Sequence, residues 1–200
     1  MWDDRFAREG YFFGTDPAAF LRREAHRLPS GARVLCVAEG EGRNAVWLAG
    51  QGHRVTAFDA SPVGVEKAHR LAAARGVEPE LHVADVDGWD WSRQFDAVVA
   101  IFIQFAPPEM RGRIFAGLRQ AVAPGGLLML HGYTPRQVEY GTGGPPHAEN
   151  MYTAAMLEGA FGGFDIISLT EYEDVIAEGQ GHAGRSALID LIARKPAEET

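Results

Sequence analysis

Residues 33–59, RVLCVAEGEGRNAVWLAGQGHRVTAFD, decide how the chain is read. Val34-Leu35-Cys36-Val37 is an apolar run of the length of a short buried strand, and Gly40-Glu41-Gly42 is a turn. Arg43 to Gly50 has helical periodicity, and His53 to Phe58 reads as a second strand that ends in an acid, Asp59. Glycine where strand becomes helix lets the backbone pass close beneath a ligand, because no Cβ intrudes. The helix N-terminus offers unpaired N–H groups. An acid at the end of the following strand sits beside the first turn and accepts hydrogen bonds from a ribose diol. The stretch therefore predicts a nucleoside-bearing cofactor.

It does not by itself say which one. Gly40-x-Gly42-x-x-Ala45, with Asp59 placed 17 residues after Gly42, also satisfies the dinucleotide fingerprint. A nicotinamide or flavin dinucleotide and S-adenosylmethionine both remain open at this point.

Composition narrows the class. With 200 residues, 46% hydrophobic and 23% charged, the chain is expected to be one soluble globular domain with a core of its own. A net charge of −8 and the lack of any long Lys/Arg run argue against a nucleic-acid or anionic-membrane surface. The acidic balance suits a cationic ligand. Cys36 is the single cysteine, so there is no disulfide framework or paired-cysteine metal site. No leader or long apolar span is read, and a cytoplasmic location is expected.

Working outward, residues 2–14 (WDDRFAREGYFFG) are aromatic-rich without a sustained period and are expected to dock as a lid. Asp16-Pro17 is expected to open a helix carrying Phe20, Leu21, Ala25 and Leu28, which Pro29-Ser30-Gly31 ends. Ser61-Pro62 opens a second helix that Gly76 closes, and Glu80 to Ala84 is a short strand before Asp85. A polar stretch with Trp89 and Trp91 leads to Phe95–Phe102, apolar enough for a central strand buried on both faces. A helix from Pro107 to about Val122 and a strand from Leu127 to Tyr133 follow. Residues 134–150 are too rich in glycine and proline for regular structure, and a loop this long is usually functional or mobile. A helix around Thr153–Ala160 precedes two strands, Phe164–Val175 and Ser186–Arg194, with Glu178-Gly-Gln-Gly-His182-Ala-Gly184 as the loop between them.

Five strand-then-helix alternations followed by two strands without a helix-length connector predict an α/β fold. It is Rossmann-like and doubly wound, a mostly parallel seven-stranded sheet with an antiparallel C-terminal strand pair. Residues 1–30 form the N-terminal lid segment and helix, 31–133 the cofactor-binding core, and 134–200 the substrate-side loop and last strands. Ligands in such sheets sit at the carboxyl ends of the strands, so Cys36–Glu39, Asp59, Asp85, Phe102–Gln104 and His131–Tyr133 are expected to face one crevice.

With these motifs in place the chain resembles the class I S-adenosylmethionine-dependent methyltransferases, in particular the small bacterial tellurite-resistance and thiopurine-methyltransferase-like branch. The resemblance rests on Trp2-Asp-Asp-Arg-Phe6, Phe13-Gly-Thr-Asp-Pro17, Val34 through Asn44, Asp59-Ala-Ser61, Pro124-Gly-Gly126, Gly141-Thr-Gly-Gly-Pro145 and Glu178-Gly-x-x-His182-x-Gly184. It implies that Glu39, Gly40, Glu41, Gly42 and Asn44 line the methionine and ribose end. It further implies that Asp59, Ala60 and Ser61 meet the ribose, that Asp85 and Val86 meet adenine, and that Ile101, Phe102 and Gln104 border the reactive methyl. Cys36 stands where an acid is common, Ala38 where a first glycine is common, and Gln104 where relatives often have histidine. The dinucleotide reading recedes, because a dehydrogenase of this size has little chain left for a substrate domain and gives Asp85 no role.

Methyl transfer from a sulfonium is an in-line displacement in which the protein mainly aligns the partners and excludes water. A soft nucleophile such as a thiolate needs no strong base, whereas a hydroxyl or a protonated amine does. His182, Glu178, His131, Tyr133 and Tyr11 are the candidate bases or acceptor ligands. His26, His53, His69, His82 and His147 lack ligand spacing, so no metal is expected. The expected activity is methyl transfer to a small molecule, favoured a soft chalcogen or thiol, by a monomer or homodimer. The alternatives are O- or N-methylation of a small metabolite, a non-catalytic S-adenosylmethionine-binding module and, more distantly, an NAD-dependent oxidoreductase.

Overall fold

The computed structural model describes residues 2–197. Seven strands follow the order β3-β2-β1-β4-β5-β7-β6, which is the Rossmann-like, mostly parallel sheet expected. The chain divides into two compact units: residues up to Asp90 with Glu178–Gly181, and Trp91–Ala177 with His182 onward.

The first unit opens with helices α1 (Trp2–Phe6) and α2 (Ala19–Glu24), the latter continued by a 3-10 turn at Ala25–Arg27. Strand β1 (Arg33–Val37) leads into α3 (Arg43–Gly50), and β2 (Arg54–Asp59) into α4 (Pro62–Arg75) and β3 (Glu80–Val83). The three strands pair in parallel, Val34 opposite Val55 and Asp59 opposite Val83. Val34, Leu35, Cys36 and Val37 are all buried, so β1 is covered on both faces as its unbroken apolar run requires. A leucine enclosed like Leu35 contributes roughly 1.5–3 kcal/mol. Helix α4 has the ends its sequence specifies: Ser61 Oγ accepts the Gly64 N–H (3.1 Å), Pro62 fits the first turn, and Gly76 closes it at φ 67°.

Helix α2 corrects the sequence reading. Asp16 does not cap it, and the helix starts later. Its first N–H groups go to distant side chains, Ala18 N–H to Asn44 Oδ1 and Ala19 N–H to Glu178 Oε1 (both 2.9 Å).

In the second unit β4 (Phe95–Ile101), α5 (Pro108–Ala121) and β5 (Val122–Tyr133) are followed by α6 (Gln137–Tyr140), a 3-10 turn at Ala148–Asn150 and α7 (Ala154–Phe161). Strands β6 (Asp165–Glu178) and β7 (His182–Arg194) close the chain. β4 and β5 are parallel; β5 and β7 are antiparallel, with His131 directly opposite Asp190.

Four expectations are corrected here. No helix lies between β3 and β4, so one alternation is missing. Strand β5 begins at Val122 rather than Leu127. The pairing runs from Phe95 with Val122 to Ala97 with Leu127, and this bulge takes up Pro124-Gly125-Gly126. Residues 134–150 are not structureless, because Gln137 organises them. Its Nε2 donates to Thr142 Oγ1 (3.0 Å) and Gly143 O (3.2 Å), and its Oε1 accepts the Ala187 N–H (2.8 Å). Finally, β6 and β7 run further than expected, so Glu178 and His182 end and begin strands instead of lying in a loop. No helix among the described residues is long and apolar enough to cross a membrane.

Candidate active site

In the first unit the chain leaves β1 through Ala38 (φ 48°), Gly40 (φ 63°) and Gly42 (φ 88°). Ala38 holds a left-handed conformation that costs a Cβ-bearing residue roughly 1–2 kcal/mol. It stands in the turn that leads from β1 into α3. Glu39 Oε1 accepts the N–H groups of Asn44 and Ala45 (both 2.7 Å) and so caps α3. Burial pushes its carboxyl up to about 7, against the opposing pull of the Ala45 N–H and Arg43.

Asp59, buried at the end of β2, receives Gly40 N–H on Oδ2 and Ser61 N–H on Oδ1 (both 2.8 Å). Burial raises its pKa, opposed by those two N–H groups and reinforced by Asp3. A carboxylate has about four acceptor positions. Two are used by the backbone, and the other two match a vicinal diol. Beside it Ala60 is exposed, while Ser61 is buried and donates from Oγ to Asp3 Oδ1. Asp85 is exposed, with Oδ1 accepting the Gly88 N–H (2.6 Å), and Val86 next to it is buried. Trp89 stacks on Phe58 with ring centres 4.4 Å apart. The donor set of this unit is acidic and rich in acceptors, as a ribose- and cation-bearing ligand requires.

Several predicted residues are engaged otherwise. A Cβ on Gly40 would meet the Phe6 ring at 3.0 Å, and one on Gly42 would meet Ala68 Cβ at 2.5 Å. What these glycines admit is the N-terminal segment and α4. The Glu41 carboxylate is spent on that segment too: Oε2 accepts the Phe12 N–H (2.6 Å) and Oε1 pairs with Lys67 (2.9 Å). Lys67 also donates to the carbonyls of Arg8 (2.8 Å) and Gly10 (2.6 Å), so residues 6–14 are docked. Asn44 Oδ1 is committed to Ala18. Tyr11, expected as a base or acceptor ligand, donates to Lys67 O (3.2 Å), and burial followed by Glu41 raises its pKa. Glu178, another expected base, forms a buried 2.7 Å ion pair with Arg43. The fold supplies Glu41, Asn44, Tyr11 and Glu178 each with a partner that the sequence does not reveal.

The second unit gathers the remaining candidates around Phe102, a half-buried residue just after β4 with a left-handed backbone (φ 54°). The His182 ring stacks on it (centres 4.0 Å apart, 21°), the His131 ring meets it edge-on (4.6 Å, 70°), and Tyr133 lies 4.7 Å away. Tyr133 Oη and His182 Nδ1 share a buried hydrogen bond of 2.7 Å. His131 Nδ1 lies 2.6 Å from Asp190 Oδ1, to which Tyr172 Oη also donates (3.3 Å). Gln104 is buried with its amide locked to the backbone of Tyr133 (2.8 and 2.7 Å), which fixes the end of β5. Ile101, half-buried, ends β4 opposite His131.

Sequence reasoning missed Arg43, Asp190 and Tyr172. Asp190 left a signal: it is an acid inside the apolar run Leu188-Ile189-Asp190-Leu191-Ile192, and an acid in a buried strand needs a partner. Among the described residues no cluster of His, Cys, Asp or Glu is arranged to hold a metal.

A methyltransferase domain model matches residues 34–126, the span from β1 to the bulge of β5. That span is just under half of the chain. The chain is similar to ribosomal RNA small subunit methyltransferase C of Chromohalobacter salexigens, 34% identical over 109 residues, 51% of this chain and 32% of that protein. It is similar also to thiopurine S-methyltransferase of Bordetella parapertussis, 36% identical over 86 residues, 41% of this chain and 37% of that protein. The chain spans between about a third and a half of the length of the curated relatives it matches.

Solved structures extend the likeness of fold beyond the methyltransferase domain. One concerns the conversion of a disulfide bond into a thioacetal group during echinomycin biosynthesis (TM-score 0.75, 23% identity, 96% of this chain and 86% of that one). Another is the N-methyltransferase NodS of Bradyrhizobium japonicum with S-adenosyl-L-homocysteine (TM-score 0.73, 13%, 98% and 96%). A third is TehB of Haemophilus influenzae (TM-score 0.70, 16%, 86% and 60%). The fold is the Rossmann-like fold of S-adenosylmethionine-dependent methyltransferases.

Proposed function

We propose that this chain is an enzyme that transfers a methyl group from S-adenosylmethionine to a small-molecule acceptor in the cytoplasm, with a thiol or other soft chalcogen favoured. The observation that carries the reading is Asp59, a buried carboxylate at the carboxyl end of β2 inside the methyltransferase domain, tied to the glycine turn through Gly40. The cofactor supplies an electrophilic methyl on a sulfonium. Asp59 takes the ribose hydroxyls on its two remaining acceptor positions, Asp85 and Val86 meet adenine, and Glu39 lies toward the methionine end. Ile101 and Phe102 border the methyl, while Gln104 holds the end of β5 in place. His182 and His131, on the Phe102 ring, face the acceptor.

The thiopurine S-methyltransferase relative supports a sulfur acceptor. A ribosomal RNA methyltransferase is also a relative, but the net charge of −8 lacks the cationic surface a polyanion needs and favours a small acceptor.

The test is a thermal-shift titration with S-adenosylmethionine, S-adenosylhomocysteine and NAD(H). A ligand at about 100 times its dissociation constant stabilises by about 2.7 kcal/mol, which for a chain of this size is roughly 5–10 °C. Shifts with the first two alone are expected; a shift with NAD(H) alone overturns the reading. Asp59→Ala removes charge-assisted hydrogen bonds of about 1.5–3 kcal/mol each and is expected to weaken cofactor binding at least tenfold. Unchanged affinity would remove Asp59 from the ribose site.

A further inference from the structure

Residues 2–14 are held in place from two sides. Helix α1 is five residues long, too short to stand alone in water. Phe6 is buried, whereas residues 3–5 and 7–10 are exposed. On one side is α4, whose Lys67 donates to the carbonyls of Arg8 (2.8 Å) and Gly10 (2.6 Å) and pairs with Glu41 Oε1 (2.9 Å). Glu41 Oε2 accepts the Phe12 N–H (2.6 Å).

On the other side is the turn Glu178–Gly181, which belongs to the same compact unit. Gln180 N–H donates to Phe12 O (2.8 Å). Arg43 ties segment and turn together, with Nη1 donating to Phe13 O (3.5 Å) and Nη2 paired with Glu178 Oε2 (2.7 Å). A Cβ on Gly179 would lie 2.5 Å from Phe12 O, and one on Gly181 would lie 2.6 Å from the Phe12 ring and overlap the Phe13 ring. Gly179 and Gly181 leave the room that Phe12 and Phe13 fill, so two sequence motifs far apart in the chain are complementary parts of one contact.

The same segment lies on the turn where the cofactor is read to bind. The Phe6 ring sits 3.0 Å from where Cβ atoms of Gly40 and Gly64 would stand. Ser61 meets two carboxylates, its N–H bonded to Asp59 Oδ1 (2.8 Å) and its Oγ to Asp3 Oδ1. Two acids brought to one residue oppose each other's charge. A ligand that offers diol donors and a positive charge offsets that repulsion and so favours the docked segment. A segment held by one buried ring and a few hydrogen bonds belongs to the part of a fold that opens most readily.

We propose that residues 2–14 and the Glu178–Gly181 turn form one latch on the cofactor turn, which lifts to admit S-adenosylmethionine and closes on it. This rests on the methyltransferase reading above. Lys67 is the clasp at one end of the latch and the turn glycines are the seat at the other. Cofactor binding and closure strengthen each other, because a ligand shifts an equilibrium by its difference in affinity for the two states.

The test measures hydrogen exchange of the wild-type chain with and without saturating S-adenosylhomocysteine. The rates of binding and release of that ligand are then compared for wild type, Lys67→Met and Gly181→Ala. Gly181 is outside the left-handed region, so alanine there disturbs the seat of Phe12 and Phe13 rather than the backbone. The Phe12 and Gln180 amides are expected to exchange at least about fivefold more slowly with ligand bound. Each variant is expected to release the ligand about 5–150-fold faster and to bind it no more slowly, because the obstacle to entry is loosened. Exchange unchanged by the ligand would overturn the latch and leave the segment a fixed cover. Tighter binding by the variants would also overturn it, since the segment would then compete with the ligand. Should a variant fail to fold, the wild-type exchange decides alone. A wild-type chain that binds neither S-adenosylmethionine nor S-adenosylhomocysteine would instead overturn the methyltransferase reading.

Discussion

Replacing Glu178 by Gln separates a structural role from a catalytic one. Glu178 ends β6, is buried, and its Oε2 lies 2.7 Å from Arg43 Nη2, with side-chain exposures of 7% for Arg43 and 8% for Glu178. Both members are therefore out of water, and breaking such a pair by neutralising one partner leaves an uncompensated buried charge, at a cost of about 3–5 kcal/mol. Gln still has a carbonyl for the Ala19 N–H that now binds Oε1 (2.9 Å), so the cap of α2 survives and the lost ion pair dominates. At about 2–4 °C per kcal/mol for a chain of this length, the melting temperature should fall by roughly 6–20 °C. The assay is thermal or urea unfolding of the wild type, Glu178→Gln, Arg43→Gln and the double variant, with turnover measured well below each midpoint. The double variant should recover part of the loss, because neither charge is then stranded. Per folded molecule, kcat should be within about threefold of wild type, since an ion pair with Arg43 favours the charged carboxylate and makes it a weaker base. A variant with unchanged melting temperature and turnover reduced a hundredfold would refute this reasoning and return Glu178 to the acceptor side.

Two further substitutions test the glycine turn and the cap of α3. Gly42→Ala places a Cβ 2.5 Å from Ala68 Cβ and 2.9 Å from its Cα, at a backbone φ of 88°. Strain and overpacking should together cost about 2–4 kcal/mol in urea unfolding, and a loss below about 0.5 kcal/mol would contradict the packing described. Glu39 has a carboxyl raised from 4.5 to about 7, so the unfolded chain ionises first as pH rises. Its contribution to stability is full below pH about 4.5 and is lost as pH rises to about 7, by at most about 3 kcal/mol because the residue is half-buried and water screens it. Glu39→Gln should flatten the stability–pH curve across that window, and an unchanged slope would show the carboxyl to be unperturbed.

The sequence by itself determined the nucleotide-type half of the protein. An apolar run flanked by a glycine turn, a helix of period 3.6 and an acid after the next strand are local statements, and each is enforced within a few residues by backbone sterics and burial. Strand β1, helix α3, the Ser61 cap and the position of Asp59 were therefore legible before any contact was known. What needed the tertiary structure was the partner of each charged or polar side chain. The family resemblance implies Glu41 and Asn44 as cofactor residues, and Glu178 is a candidate base within a segment that carries the same resemblance. Their contacts with Lys67, Ala18 and Arg43 came only with the fold, because an acid or amide beside a cleft has the same local signature whether it meets a ligand or a docked chain segment. Asp190 shows the converse. Its pairing with His131 is a matter of register between β5 and β7, strands 59 residues apart at that contact, and register between distant strands is set by the packing of the whole sheet rather than by any window of sequence.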